Sequence, residues 1–279
     1  MTTPPFGYFG SKVKIARQIV ALMPEHSGYI EPFAGSLSVL LAKPAVGLEV
    51  VNDLDGDLMT FWRMLRDQPE ELVRICSLTP HSRSEYDASW PIPSDVPDLE
   101  RARRVWVKLS QGRSGVLRRT GWRYNEAPRG RTTMMPGTIR GYVDRMVTVA
   151  DRLRDVSLEC RPALEIISRY GRVPDNLLYI DPPYLGSVRT WGNNYAVEMR
   201  SDDEHRALAD ALADCSATVV LSGYPSDLYD QLFTGWHRAE IQAGTSQNNN
   251  AGWQSRTEVL WSNRPFAVEH PRLFTEVTA

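Results

Sequence analysis

The sequence lacks the marks of several protein classes. Its 279 residues contain only three cysteines, Cys76, Cys160 and Cys215, which lie far apart and form no CxxC pair. We therefore expect neither a disulfide framework nor a cysteine-rich metal site. No apolar run approaches the ~18 residues that span a bilayer, and the N-terminus lacks the basic and then apolar segments of a secretory signal. These absences predict a cytoplasmic protein with no membrane partner.

The sequence does have an ordinary globular composition with an uneven distribution of charge. With 42% hydrophobic residues, the chain can bury the core of one large α/β domain or of one domain carrying an insertion. Residues 101–145 hold twelve lysines and arginines against two acids, a charge of +10 that leaves −12 on the remainder. Eleven of the twelve are arginine, and Trp106, Trp122 and Tyr124 lie among them. This segment predicts a polyanion partner, with a solvated arginine surface as the alternative.

The motif with the clearest chemistry is a short apolar run that ends in an acid. Residues 177–184 read LLYIDPPY. The apolar residues are typical of a central strand, which must stop at Asp181 because Pro182 and Pro183 cannot donate to a β-ladder. The strand thus brings the Asp181 carboxylate and the Tyr184 ring to its carboxyl end, where open α/β sheets bind ligands. An acid before two prolines is also ordinary turn chemistry, which is the alternative.

Two βα units near the N-terminus predict the rest of a binding site. The predicted elements are a helix over 11–23, a strand over 29–31, a tight turn over 32–35, a helix from about 36 and a strand over 48–52. Before the first helix, the glycines of GYFGSK allow close approach to a ligand. Asp53 lies 18 residues after Gly35, near the ~20-residue spacing at which an acid meets ribose hydroxyls. Alternatively, Asp53 or Asp55 caps the following helix.

A long helical region follows, and then the α/β alternation resumes. From residue 57 to about 161 the pattern predicts helices over 57–67, 69–78, 98–110 and 138–154 and no strand. Within it, QGRSGVLRRTGWRYN at 111–125 predicts a loop or hairpin suited to a nucleic-acid groove. Later predicted elements are helices over 162–170, from 201 and over 226–233, and strands over 217–222, 237–242 and 257–261. The last two strands suggest an antiparallel pair at the sheet's edge.

Three predicted strand ends share one crevice. A nucleoside cofactor there would put its ribose on Asp53 and its reactive end over the 32–35 turn, leaving Asp181 beside the reacting group. With GYFGSK, EPFAGSLSVL, VVNDLD, a basic helical insertion and DPPY in this order, the chain resembles the Dam-type, α-group DNA adenine-N6 methyltransferases. The resemblance covers most of the chain, including the closing NNNAGWQSRTEVLW. One departure is Leu37, where the family's FxGxG has its second glycine.

The resemblance implies a fold, a cofactor and a reaction. The fold is a mostly parallel, Rossmann-like α/β methyltransferase sheet formed by residues 1–56 and 160–279, with an inserted helical target-recognition domain at 57–159. The cofactor is S-adenosylmethionine, converted to S-adenosylhomocysteine without a metal. The residues implied around it are Tyr8, Phe9, Lys12, Pro32, Phe33, Gly35, Asp53 and Asp181. The implied catalytic residues are Asp181, Pro182, Pro183 and Tyr184.

The implied substrate is an adenine flipped out of double-stranded DNA, in a bacterial or phage-infected cell and with no obligatory protein partner. Asp181 and the Pro182 carbonyl would accept the two hydrogens of the N6 amine, and Tyr184 would stack on the base. The residues expected to contact DNA are Arg113, Ser114, Arg118, Arg119, Trp122 and Arg123. The alternatives are a catalytically inactive or cofactor-sensing DNA-binding protein of the same fold, and methylation of RNA adenine or of cytosine N4.

Overall fold

The structure, a computed structural model, describes residues 1–126, 134–184, 199, 201–245 and 254–267. The strands are β1 Gly28–Glu31, β2 Leu48–Asn52, β3 Val156–Glu159, β4 Asn176–Ile180, β5 Thr218–Gly223, β6 His237–Thr245 and β7 Gln254–Ser262. The helices are α1 Ala16–Leu22, α2 Ser38–Ala42, α3 Gly56–Asp67, α4 Pro69–Leu78, α5 Arg83–Ala88, α6 Asp98–Gln111, α7 Met135–Leu153, α8 Ala163–Tyr170, α9 Asp202–Ala213 and α10 Asp227–Leu232. Within these residues, none of the helices has the length and apolar character needed to cross a membrane.

The strands form one sheet in the order β3-β2-β1-β4-β5-β7-β6. The pairs from β3 to β5 are parallel, and β7 runs antiparallel to both β5 and β6. This confirms the predicted mostly parallel sheet with an antiparallel pair at one edge. The chain builds outward from β1 to β3 on one side and from β4 to β5 on the other. The resulting crevice between the carboxyl ends of β1 and β4 is where such sheets bind ligands.

The central strand β4 follows from its sequence. All five of its residues are buried, as expected for a parallel strand covered on both faces. Leu177 and Tyr179 face one hydrophobic cluster, and Leu178 and Ile180 face the other. The strand stops before Asp181, because the two prolines that follow remove the backbone donors needed to extend it.

Helices cover both faces of the sheet. Helices α8 to α10 pack with the cluster that contains Leu178, whereas α1 to α7 pack with the cluster that contains Tyr179. Trp62, Trp106 and Met146 of the long helical region are fully buried and belong to the cluster that contains Tyr179. The helical region and the sheet therefore share one hydrophobic core.

The prediction of helix up to about residue 161 is wrong at β3. This strand pairs in parallel with β2 at the edge of the sheet, and of its four residues only Val156 is buried. Four residues with one buried side chain give too little periodicity to separate a strand from a helix end. The sheet thus includes residues before 160, where the sequence starts the second half of the catalytic domain. The division into two domains stays a prediction.

Three other differences are local. Helix α5 was not predicted, and α1 begins at Ala16 rather than Ser11, after a turn over residues 13–15 in which the Lys12 carbonyl accepts the Ala16 amide N–H at 2.7 Å. Helix α2 begins at Ser38 rather than Ser36, because Leu37 adopts a left-handed conformation with φ 57°. The bounds of β2 agree with the prediction. So does the start of α9, where Ser201 and Glu204 form a capping box.

Candidate active site

A cavity of about 360 Å³ lies at the carboxyl ends of β1, β2 and β4. Its walls include all eight residues that the sequence predicts around a cofactor: Tyr8, Phe9, Lys12, Pro32, Phe33, Gly35, Asp53 and Asp181. Pro183 also lines it, whereas Pro182 and Tyr184 are buried next to it. The fold therefore brings residues from positions 8 to 183 into one place; which ligand they bind stays a prediction.

The turn after β1 forms the floor of the cavity. Gly35 has φ +47°, and a Cβ built on it would lie 3.0 Å from the Tyr8 ring. The Gly35 amide N–H donates to Asp53 Oδ2 at 2.9 Å, and the indole N–H of Trp62 donates to the Gly35 carbonyl at 3.0 Å. The turn thus needs glycine, both for its backbone conformation and for close contact with Tyr8.

Asp53 connects the ends of β1 and β2. Its Oδ1 accepts the Asp55 amide N–H at 2.9 Å, in addition to the bond from Gly35. Burial raises the pKa of Asp53 to about 6, although these backbone donors favour the ionised form. Asp55 is the N-cap of α3, where its Oδ1 accepts the Leu58 amide N–H at 3.0 Å. Asp55 therefore caps the helix, and Asp53 remains on the cavity wall.

Asp181 lies in a network of polar side chains at the end of β4. Lys12 Nζ donates to Asp181 Oδ1 at 2.8 Å, and the Ser222 hydroxyl on β5 donates to the same oxygen at 3.0 Å. The Tyr179 hydroxyl in turn lies 3.0 Å from Ser222 Oγ. The Lys12 side chain is only 6% exposed. These contacts fix the carboxylate next to the cavity and offset its charge.

Tyr184 is held by both its ring and its hydroxyl. The ring centroid lies 4.4 Å from that of Tyr224 and 4.7 Å from Lys12 Nζ. The hydroxyl donates to Glu258 Oε1 at 2.7 Å and accepts a hydrogen bond from Lys12. Burial raises the pKa of Tyr184 well above its ordinary value, and nearby Asp181 adds to the effect. Tyr184 is therefore a neutral phenol at physiological pH.

Sequence reasoning missed two buried carboxyl groups. Glu258 on β7 forms an ion pair with Lys12 at 3.3 Å, and burial raises its pKa despite that lysine. Glu31 at the end of β1 lines the cavity and accepts a hydrogen bond from the Tyr29 hydroxyl at 3.0 Å. Burial raises the pKa of Glu31 to about 8. The available signal was an acid at the end of, or inside, an apolar strand, where an ionised side chain is costly.

The basic hairpin, which we define as residues 111–125, has the predicted form. Gly112 and Trp122 form an antiparallel bridge, and the Arg123 amide N–H donates to the Gln111 carbonyl at 2.7 Å. Five of the six residues expected to contact DNA are exposed: Arg113, Ser114, Arg118, Arg119 and Arg123. The sixth, Trp122, is half-buried and stacks on His81 and Tyr124 at ring-centroid distances of 4.5 and 5.4 Å.

Part of the hairpin's positive charge is paired within the protein. Arg119 forms an exposed ion pair with Asp87 at 2.7 Å, so its charge is partly offset within the protein. The sequence also predicts a polar loop that contains Trp191 and Tyr195. This loop, and residues 248–253 of the closing NNNAGWQSRTEVLW segment, lie outside the described residues. In the described ranges, no cluster of three or more His, Cys, Asp or Glu side chains could hold a metal ion.

Comparison with known proteins finds a methyltransferase relative. The chain is 26% identical to the type II methyltransferase M1.LlaDCHI of Lactococcus lactis subsp. cremoris, over 91% of this chain and 93% of that protein. A solved structure described as a precorrin 8w decarboxylase, from Methanobacterium thermoautotrophicum, aligns with a TM-score of 0.37 and 10% identity, over 93% of this chain and 92% of that one. A score so low has no weight for fold or function.

A family model gives the decisive match. The model for D12 class N6 adenine-specific DNA methyltransferases matches residues 8–89 and 141–246. These two segments contain residues 8–12 of the GYFGSK loop, the turn after β1, Asp53 and the DPPY motif. They amount to well over half of the chain, and they are the segments that form the cavity. This chain therefore belongs to the family of D12 class N6 adenine-specific DNA methyltransferases.

Proposed function

We propose that this protein transfers the methyl group of S-adenosylmethionine to the N6 amine of an adenine flipped out of double-stranded DNA. The observation that carries the proposal is the position of Asp181. It lies at the end of the central strand, on the wall of a cavity that Pro183 and the seven other predicted cofactor residues also line. Membership of the DNA adenine methyltransferase family supports the substrate class.

The cavity suits S-adenosylmethionine in size and chemistry. Its volume of about 360 Å³ lies in the range of roughly 300–1,000 Å³ usual for small-molecule sites. Asp53, at the end of β2, is the acceptor we assign to the ribose hydroxyls. Glu31 is a buried carboxyl on the wall, and a cationic ligand group such as the cofactor's ammonium would compensate its charge. When bound, S-adenosylmethionine supplies an electrophilic methyl group on a sulfonium.

Asp181 is the residue that we assign to the N6 amine. The lone pair of that amine is delocalised into the adenine ring, so the nitrogen must be polarised and aligned within about 3–3.5 Å of the methyl carbon. Lys12 and Ser222 both bond to Asp181 Oδ1. We therefore assign Oδ2 as the acceptor for one N6 hydrogen, and the Pro182 carbonyl as the acceptor for the other. Together they favour a more tetrahedral, nucleophilic nitrogen.

Tyr184 is the residue that we assign to the base ring. Taking a base out of the duplex costs a few kcal/mol, and stacking on an aromatic ring returns about 1–3 kcal/mol per base. Contacts to phosphates supply the rest. The Tyr184 hydroxyl is bonded to Glu258 and Lys12, so the ring has a fixed orientation beside Asp181. This network supports a ring platform held in place before the base arrives.

We assign recognition of the DNA sequence to the basic hairpin, within the predicted inserted domain at 57–159. Its exposed arginines suit phosphate oxygens or guanine edges. The family model skips residues 90–140, which include the hairpin. A segment that reads different DNA words in different relatives would show such a gap. The type II relative favours a restriction-modification context; we assign no protein partner.

Transfer of a labelled methyl group from S-adenosylmethionine, followed by nucleoside analysis, tests the proposal. The protein is incubated with duplex DNA, single-stranded DNA and RNA, and each product is digested to nucleosides. We expect N6-methyladenine in duplex DNA. N4-methylcytosine as the product, or label in RNA alone, would replace the assigned substrate. If the protein binds duplex DNA but no label is transferred to any substrate, it is a DNA-binding protein without this activity.

A further inference from the structure

The basic hairpin is in direct backbone contact with the N-terminal segment. The Gly115 carbonyl accepts a hydrogen bond from the Phe9 amide N–H at 2.8 Å. Gly115 has φ +59°, and a Cβ added to it would lie 2.7 Å from the Gly7 carbonyl oxygen and 2.9 Å from the Tyr8 amide nitrogen. Real Cβ atoms do not approach backbone so closely, so the contact exists only because residue 115 is glycine.

The segment that Gly115 contacts is also a wall of the cavity. We define residues 3–9 as the N-terminal strap. Tyr8 and Phe9 of the strap line the cavity, and the Tyr8 ring packs on the Gly35 turn. The hairpin, the strap and the floor of the cavity are therefore three successive layers in contact.

Helices of the long helical region fasten the strap at its other end. The indole N–H of Trp106 on α6 donates to the Pro5 carbonyl at 3.0 Å. Arg145 on α7 donates to the Pro4 carbonyl at 3.0 Å and to the Thr3 hydroxyl at 2.8 Å. The strap is thus hydrogen-bonded to α6 and α7 of the long helical region, although two of its residues line the cavity.

A purely structural role for this contact leaves one feature unexplained. The turn that seats on the strap also displays the exposed Arg113 and Ser114. Ser114 has φ 69°, a conformation that side chains with a Cβ rarely adopt. Two successive positive φ values, at Ser114 and Gly115, define the shape of the turn at the point where the expected DNA contact meets the cavity wall. Backbone strain of this kind persists where surrounding contacts fix the geometry, and it is common at functional sites.

We propose that Gly115 is a positioning residue that couples DNA binding at the hairpin to cofactor binding in the cavity. A duplex bound by Arg113 and Ser114 orders the turn, the turn orders Phe9 and Tyr8, and the cofactor then meets a wall that is already ordered. By linkage, the cofactor strengthens DNA binding by the same factor. The inference rests on the proposed function, since it needs a hairpin that binds DNA and a cavity that binds the cofactor.

The test compares the affinity for S-adenosylhomocysteine with and without a duplex. For the wild type we expect the duplex to tighten binding by about fivefold or more, which is the lower end of usual coupling factors. In Gly115→Ala the factor should fall to about one, while each ligand still binds alone. The matched control is Gly121→Ala in the same hairpin. Gly121 also has a positive φ, +104°, but a Cβ there meets nothing within 4 Å, so the coupling should survive.

The outcomes separate this inference from the proposed function. A wild type that binds no duplex DNA would overturn the proposed function and the coupling with it. Duplex binding with a factor of one, or an unchanged factor in Gly115→Ala, would overturn the coupling alone. Should Gly115→Ala not fold, hydrogen exchange at the Phe9 amide of the wild type decides. Added duplex should slow that exchange at least severalfold, and unchanged exchange would contradict the inference.

Discussion

Leu37 has a backbone conformation that glycine would adopt without strain. Its φ is 57°, in the left-handed region, and its side chain is completely buried. The conformation costs a residue with a Cβ about 1–2 kcal/mol, whereas removing a buried leucine side chain costs about 2–5 kcal/mol. The contribution of burial is the larger of the two, which explains why a leucine can occupy the position of the family's second glycine.

We therefore predict an inverted order of stability for two variants at this position. Leu37→Ala loses the side chain and keeps the strained backbone, so its free energy of unfolding should fall by about 2–5 kcal/mol. Leu37→Gly loses the same burial but relieves the strain, and it should be more stable than the alanine variant by about 1 kcal/mol. Denaturant unfolding measures both. An alanine variant more stable than the glycine variant would contradict the strain.

Glu31 should make stability depend on pH. Burial raises its pKa from 4.5 to about 8, so the folded state binds more protons than the unfolded state between these values. Stability then falls as the pH rises through this window. From pH 6.5 to 8.5, above the pKa of about 6 at Asp53, the wild type should lose about 1–2 kcal/mol more than Glu31→Gln. Equal pH dependence of the two proteins in denaturant titrations would exclude an ionisable Glu31 as the cause.

Tyr184 allows its ring and its hydroxyl to be tested separately. Tyr184→Ala removes the proposed platform, and the rate of methyl transfer should fall by roughly 5- to 150-fold, since stacking contributes about 1–3 kcal/mol per base. Tyr184→Phe keeps the ring and loses only the bonds to Glu258 and Lys12, which still pair with each other. Its rate should remain within a few-fold of the wild type. A phenylalanine variant as slow as the alanine variant would assign the role to the hydroxyl.

Sequence reasoning missed the role of Glu258 for a physical reason. Asp181 could be predicted from the prolines that follow it, and Asp53 from its spacing from Gly35. Glu258 lies 77 residues after Asp181 in the sequence, and its connection to Lys12 exists only because β7 lies next to β5. Contacts between distant strands depend on the strand order, which local patterns do not contain.

Elements were predictable where the sequence contains a stop or a start signal. Two prolines define the end of β4, and the Ser201 capping box defines the start of α9. Where such signals are absent, the sequence predicts helix over the edge strand β3 and no element over α5. The start of α2 depends on the conformation of Leu37, which no propensity predicts. Signals that act through the local backbone are readable in the sequence; those that act through tertiary contacts are not.

The basic hairpin is an element whose role can be measured through salt dependence. Arg113→Ala and Arg118→Ala each remove one charge from its exposed surface. If the lost contact is to a phosphate, affinity should fall evenly across DNA sequences, and the slope of log K against log salt should decrease by about 1. If the contact is to a base, the choice of methylated sequences should relax instead.

Arg74→Ala on α4 is the matched control for this measurement. It removes an arginine that is also exposed, 60% accessible and paired with Glu71 one helical turn away. Its salt slope and its pattern of methylation should equal those of the wild type. Hairpin variants that behave like this control in rate, pattern and slope would exclude the hairpin from DNA recognition.

In the whole molecule, the charge is divided between two parts of the chain, whereas the hydrophobic core is shared by both. The charge is divided along the chain, with +10 on residues 101–145 and −12 on the remainder. The packing is not divided: Trp106 and Met146 lie in the same hydrophobic cluster as Tyr179 of the central strand. A surface suited to a polyanion is thus fixed rigidly to the sheet whose strand ends form the cavity.

The composition could predict the first of these arrangements but not the second. Counting arginines is enough to locate a basic segment. A run of about a hundred residues that reads as helical suggests a separate domain, because the sequence does not show which apolar face meets the sheet. The shared core is a tertiary feature, and it explains how a loop near residue 115 can contact residues 7–9, of which Tyr8 and Phe9 line the cavity.

Methyl transfer by Asp181→Ala, measured together with its binding of S-adenosylhomocysteine, tests the proposed role of Asp181 most directly. Lys12 keeps its ion pair with Glu258 in this variant, so we expect it to fold and to bind the cofactor product nearly as well as the wild type. Its transfer of labelled methyl groups to adenine in duplex DNA should be abolished. Transfer at the wild-type rate would contradict the assignment of Asp181 to the N6 amine.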